Sequence, residues 1–228
     1  MENSIKKVRE IALNYLYKEP IPAKIPPLVY HPVFTTWIYA TEKGKMVDMS
    51  TDPAGRAEII ANFVEKINSA EDANRIMHLL RTPYWLVFLR DTKKYISKST
   101  FSKLLSEAYV SSENPNCDPD VPVDMLEMWF QEADKEQLME PEEYAVYQKL
   151  PDALTVYRGV GVGRVEDGLS WTQHKLGAIW FSNRFNKEEE KGIVLEANID
   201  KEDVLAYFSR RGEKEIVCRP AVYKVINI

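Results

Sequence analysis

Apolar residues follow a helical spacing through most of the first 150 positions, and short strand-like runs take over after Pro151. Ile5, Val8, Ala12, Tyr15 and Leu16 form one stripe with Lys and Arg between them. This predicts an amphipathic helix over 4–18, expected to dock on its own domain rather than on a partner or a membrane surface. Pro20, Pro22, Pro26 and Pro27 then break any helix and predict an extended connector. The runs 33–39 and 46–49 flank Glu42-Lys43-Gly44-Lys45 and read as a hairpin. Helices are expected over 54–67, 70–80, 100–110, 123–133 and 141–150, the third capped by Ser99 or Thr100 and the last opened by Pro141. The apolar run 84–89 fits strand or helix, and 112–119 is a loop rich in turn formers.

After Pro151 the pattern predicts strands at 154–158, 169–172, 192–199, 204–208, 215–218 and 222–226. A helix over 174–185 and a turn at 201–203 interrupt them. Helices first and strands last is an α+β order. Residues 1–49 read as an N-terminal extension of helix and hairpin. Residues 50–228 read as one domain, with a helical lobe at 50–150 and a β-rich core at 151–228.

Composition narrows the classes. The net charge of −5 argues against a non-specific nucleic-acid binder. No apolar run approaches a membrane span, and Met1–Lys7 carries no apolar signal region, so no membrane partner and a cytoplasmic setting are expected. Cys117 and Cys218 are far apart, and His31, His78 and His174 are isolated from one another, so neither a disulfide framework nor a metal site is expected.

Candidate chemistry gathers in the last third. If Glu213-Lys214-Glu215 is extended, its two carboxylates face the same side about 6–7 Å apart along the strand. They repel unless one is neutralised or both engage a cation. A solvated charged edge is the plain alternative. Arg158 ends a strand, and Gly159 after it lets a ligand approach the backbone; such an arginine can fork onto a pyrophosphate or simply sit at the surface. Ser170 and Thr172 place two hydroxyls on one strand face, with Trp171 on the other, or serve to cap the next helix. On that helix Phe181 can stack on a planar ligand or join a core, and Arg184 can reach a phosphate or solvent. Gly159, Gly161 and Gly163 do not form a dinucleotide fingerprint, because no helix starts there.

Taken in order, Tyr157-Arg158-Gly159, Ser170-Trp171-Thr172 and Glu213-Lys214-Glu215 resemble the Arg, Ser-x-Ser/Thr and Glu-x-Glu pattern of mono-ADP-ribosyltransferases, in their arginine–serine–glutamate branch. The run 168–172, with Ala178, Trp180-Phe181 and Arg184, is also similar to small transferase-like proteins of bacteria and their phages. That similarity reaches upstream to 112–116 and Leu138-Met139. Trp171 stands where many members carry a small residue, and Thr172 keeps the hydroxyl of the third position.

The resemblance implies an ADP-ribosyltransferase-like β-core, NAD as the substrate and no metal. It implies that Glu215 stabilises charge on the sugar and bonds the ribose 2′-hydroxyl, with Ser170 orienting it. Arg158 binds the pyrophosphate or adenosine side, and Gly159 offers backbone groups to the nicotinamide amide. Glu213, presented by the turn 209–212, holds the acceptor, which a Glu at that position implies to be an arginine. The expected function is transfer of ADP-ribose to a protein, as in toxin-like or phage-derived enzymes. The rivals are an NAD glycohydrolase using the same site and an inactive binding protein on the same fold.

Overall fold

The structure, a computed structural model, describes residues 4–187, 190–210 and 212–226. It is a mixed α/β fold with a six-stranded antiparallel sheet in its C-terminal part. Backbone contacts divide the chain into two compact units, Met1–Phe101 and Ser102–Ile228. The expected lobes were 1–49, 50–150 and 151–228. The division falls elsewhere, inside one helix, so the helices expected to form a single lobe lie in two units.

The first unit contains α1 (Ile5–Leu16), β1 (Ile21–Pro22), β2 (Val29–Tyr30), β3 (Ile38–Ala40), β4 (Met46–Asp48), α2 (Pro53–Ser69), α3 (Ala73–Met77) and α4 (Trp85–Thr92). Its last residues begin α5 (Lys98–Ser111). Val8, Ala12, Tyr15 and Leu16 of α1 are buried, and the helix packs against α2, α3 and α4. Tyr15 meets Phe88 edge-on at 6.4 Å and donates its hydroxyl to Asp91 at 2.6 Å. Helix α1 is thus a core element of this unit. Strands β3 and β4 form the expected hairpin, with Tyr39 opposite Val47.

The ambiguous run 84–89 is helical. Trp85, Leu86, Phe88, Leu89 and Thr92 are buried, a spacing that needs a helix. The helix expected over 70–80 shortens to α3, because Asp72 caps it by accepting from the Arg75 amide. Helix α5 starts before its expected cap. Ser97, not Ser99 or Thr100, accepts the Thr100 amide at 3.0 Å.

The second unit holds the rest of α5, then α6 (Val123–Glu132), α7 (Lys135–Leu138) and α8 (Pro141–Gln148). Its strands are β5 (Ala153–Val160), β6 (Ser170–Thr172), β7 (Ile193–Asp200), β8 (Ala206–Phe208), β9 (Glu215–Val217) and β10 (Lys224–Ile226), with α9 (Lys175–Asn183) between β6 and β7. The sheet runs β10-β7-β5-β6-β9-β8, antiparallel throughout. Strands β5 and β7 pair over eight residues and anchor it. Tyr109, Phe130 and Phe208 form an aromatic cluster in this unit's core, with Tyr109 edge-on to Phe130 at 4.9 Å. Among the described residues no helix is long and apolar enough to cross a membrane.

One buried group makes the first unit sensitive to acid. His31 is 1% exposed and accepts the amides of Val33 and Phe34 at Nδ1, each at 3.0 Å. Two donors at Nδ1 leave the proton on Nε2, which donates to the Lys18 carbonyl at 3.0 Å. Burial pulls the pKa from 6.5 down to about 4. The folded pKa is depressed, so its contribution is complete above about pH 6.5 and is lost as pH falls towards 4. We expect the protein to lose up to about 3 kcal/mol over that interval relative to His31→Asn, whose amide oxygen can still accept from the two amides. Chemical denaturation at pH 7 and pH 4.5 measures it, and parallel curves for the two proteins would refute it.

Candidate active site

Strands β5, β6 and β9 lie side by side, and the three sequence patterns meet there. Tyr157 pairs with Thr172, and Thr172 pairs with Glu215. A cleft of about 440 Å³ opens over them. Arg158, Gly159, Ser170, Thr172, Phe181, Arg184, Glu213 and Glu215 all line it. So do Tyr109 and Asn116, which the motif reading did not single out as site residues.

Arg158 is turned towards its own loop. Nε donates to the Glu166 carbonyl at 3.0 Å, Nη1 to the Ser170 carbonyl at 3.0 Å and Nη2 to the Val165 carbonyl at 3.5 Å. Burial lowers its pKa from the ordinary guanidinium value, and nearby Tyr109, Cys117, Glu215 and Asp167 oppose that shift. Three of its five N–H donors are thereby spent on backbone, leaving two for a ligand. A Cβ on Gly168 would lie 2.5 Å from Nη2, so only glycine lets the guanidinium lie against the loop. The loop has a second anchor. Arg219 forks onto Asp167 at 2.9 and 2.7 Å and also reaches Asp124 and Glu127. These bonds, to Asp167 above all, raise the Arg219 pKa further and lower that of Asp167.

The link from Ser170 to Glu215 runs through Tyr109. Ser170 Oγ lies 2.7 Å from Tyr109 Oη, which donates to Glu215 Oε1 at 3.2 Å. Asn116 Nδ2 donates to Ser170 Oγ at 3.1 Å, and Asn116 Oδ1 accepts the Leu169 amide at 2.8 Å. The expectation that Ser170 orients Glu215 therefore takes an indirect form. Asn116 lies in the loop 112–119 that the sequence marks as rich in turn formers. Tyr109 falls within the helix expected over 100–110, and an aromatic at helical spacing carries no mark of what its hydroxyl does.

Glu213 and Glu215 are not joined by an extended backbone. Lys214 has φ 49°, a left-handed conformation, and β9 begins only at Glu215. The expected side-by-side spacing does not apply, although both residues line the cleft. Thr172 Oγ1 reaches the carbonyls of Glu213 and Lys214 at 3.5 and 3.4 Å and accepts the His174 amide at 3.1 Å. It holds the turn rather than capping α9, whose N-cap is His174. The front of the turn is held from α8. Buried Glu143 accepts the amides of Ser209 and Arg210 at 2.7 and 3.2 Å and pairs with the Arg210 guanidinium at 3.4 Å. Arg210 also reaches Ser106 Oγ and stacks over Phe208. Arg211, the third residue of the expected turn, lies outside the described residues.

Gly159 faces a helix. A Cβ there would sit 2.0 Å from the Ala178 carbonyl and 2.6 Å from the Ser182 nitrogen, so the missing side chain seats α9 on β5. Phe181 is half-buried at the cleft and edge-on to Trp180 at 4.9 Å. Exposed Arg184 stacks on Trp180 and Phe185 at 5.0 and 4.8 Å. Among the described residues no group of three or more His, Cys, Asp or Glu is arranged to hold a metal ion.

Comparison of the chain with protein-family models, with curated proteins and with solved structures finds no match in any of the three. The functional reading therefore rests on the residues and their geometry.

The seating of α9 is open to test. Gly159→Ala must push α9 off β5, and overpacking of this kind costs about 1–3 kcal/mol. Thermal denaturation without ligand is expected to show the loss. An unchanged midpoint would mean that α9 is not seated as described.

Proposed function

We propose that this chain is a mono-ADP-ribosyltransferase that moves ADP-ribose from NAD⁺ to a protein acceptor, an arginine side chain. The observation that supports it is the convergence on one cleft of Arg158, Ser170, Thr172 and Glu215 from three adjacent strands and of Glu213 from the turn before the last of them. The fold that goes with this reading is an ADP-ribosyltransferase-like β-core, built on the antiparallel sheet described above.

The residues suit a nicotinamide dinucleotide. The cleft's volume falls in the range of small-molecule sites, and half-buried Phe181 offers an aromatic surface. Arg158 keeps two donors and Arg184 a stacked guanidinium for phosphate oxygens. Bound NAD⁺ supplies an N-glycosidic bond from which nicotinamide leaves as a neutral base, with positive charge developing on the ribose. In this reading Glu215 supplies the opposing negative charge from a fixed position on β9. Glu213, on a turn held by Thr172, faces the incoming guanidinium and takes its proton as it attacks. A guanidinium is too basic to react without such a partner.

Replacing Glu215 by Gln keeps the shape and removes the charge. Transfer and NAD⁺ hydrolysis are expected to fall together by about 10²–10³ while NAD⁺ still binds. Biotinylated NAD⁺ with a bacterial lysate, followed by blotting and mass spectrometry, reads transfer. Nicotinamide release reads total turnover. Near-parental turnover would remove Glu215 from the assignment.

Glu213→Gln is expected to reduce transfer more than hydrolysis, since water needs less help than a guanidinium. Equal loss of both would give Glu213 a role in NAD⁺ binding or in the turn. A modified residue other than arginine would overturn the acceptor assignment. Arg158→Ala is expected to weaken NAD⁺ binding by at least about tenfold and also to lower thermal stability, because three loop carbonyls lose their donor. Calorimetry and denaturation together check this, and unchanged affinity would exclude Arg158 from ligand binding.

A further inference from the structure

The structure assigns to Tyr109 the role of a positioning residue that aims a chain of hydroxyl protons at the carboxylate of Glu215. The catalytic meaning of that role rests on the transferase reading. The direction of the chain rests only on hydrogen-bond chemistry.

The direction is set at its far end. The Leu169 amide donates to Asn116 Oδ1, which turns Nδ2 towards Ser170 Oγ. An amide nitrogen only donates, so the Ser170 oxygen accepts there. Ser170 has one proton, and Tyr109 Oη at 2.7 Å is the partner that can take it. Tyr109 also has one proton. With its oxygen accepting from Ser170, that proton goes to Glu215 Oε1. The opposite order would strand the Ser170 proton and set the phenol's lone pairs against a carboxylate. Every proton from Asn116 onward therefore points at Glu215.

The phenol is held for this task. Tyr109 is 1% exposed, packed edge-on to Phe130 and beside Phe208. Burial, reinforced by the negative charge of Glu215, raises its pKa well above 10, so it remains a donor across the physiological range. An ionised carboxylate only accepts, so a fixed donor favours the charged form of Glu215 and restrains the side chain. Both are what a group opposing charge on a sugar needs. Ser170 and Asn116 act through Tyr109. Among the described residues, Arg158 on β5 and Cys218 just past β9 also feel the charge of Glu215, and Glu213 in the preceding turn lines the same cleft.

The test follows the Glu215 carboxyl carbon by NMR against pH in protein with labelled glutamate, the signal assigned by its loss in Glu215→Gln. It compares the parent, Tyr109→Phe, Ser170→Ala and the double variant, all of which leave Arg158, Cys218 and Glu213 in place. We expect the Glu215 midpoint to rise in Tyr109→Phe. It should rise less in Ser170→Ala, and Ser170→Ala should add nothing once Tyr109 is Phe. With NAD⁺ as substrate, kcat should fall about tenfold or more in Tyr109→Phe with KM within about twofold. A midpoint unmoved in Tyr109→Phe, or an unchanged kcat, overturns the assignment. If Tyr109→Phe does not fold, Ser170→Ala decides, and an unmoved midpoint there overturns it equally. A parent protein without NAD⁺ turnover whose Glu215 midpoint still rises in Tyr109→Phe keeps the proton chain and removes the transferase reading.

Discussion

A guanidinium taken out of water must spend its donors, and Arg158 spends them on the loop that follows its own strand. Burying a cation without such partners costs far more than a domain of this size can absorb. The carbonyls of Val165, Glu166 and Ser170 meet that need, and they can do so only if the loop folds back across the arginine. Gly168 makes the return possible, and the Arg219 fork onto Asp167 closes it from outside. The position of Ser170 follows, and with it the hydroxyl that meets Tyr109. The arginine that looked like a ligand-binding group is also the brace on which the rest of the cleft depends.

Register does the remaining work. One rung of the sheet runs Lys224, Glu196, Tyr157, Thr172, Glu215 and Phe208 across all six strands. Residues as distant in the chain as Thr172 and Glu215 become neighbours on it. A slip of one residue between β6 and β9 would turn the Glu215 side chain to the other face of the sheet. Buried Ile216, on the face opposite Glu215, opposes such a slip, since it would be turned to the side that bears Glu215.

The strands after Pro151 and most helices before it were legible because their apolar spacing is regular. Boundaries moved where a side chain intervened, as with Ser97 ahead of α5 and Asp72 ahead of α3. The order of motifs located the cleft, since residue type and sequence spacing carry that much. Three things were not legible. The left-handed Lys214 removes the extended geometry that Glu-x-Glu suggests, and nothing in its identity announces it. Gly159 serves helix packing, a tertiary fact that a glycine beside an arginine does not reveal. Tyr109 sits some sixty residues before Ser170 on a helix, and only the folded chain brings its hydroxyl to the strands.

The turn that carries Glu213 is pinned at both ends. Glu143 holds Ser209 and Arg210, and Thr172 holds the carbonyls of Glu213 and Lys214. The two anchors come from elements outside the turn, one from α8 and one from β6. Both anchors grip the turn by its backbone, through the amides of Ser209 and Arg210 and the carbonyls of Glu213 and Lys214. Under the proposed reading this separates two evolutionary pressures. Related chains can diverge in the protein they modify by changing side chains of the turn, while the strand that bears Glu215 stays under a different and stricter selection.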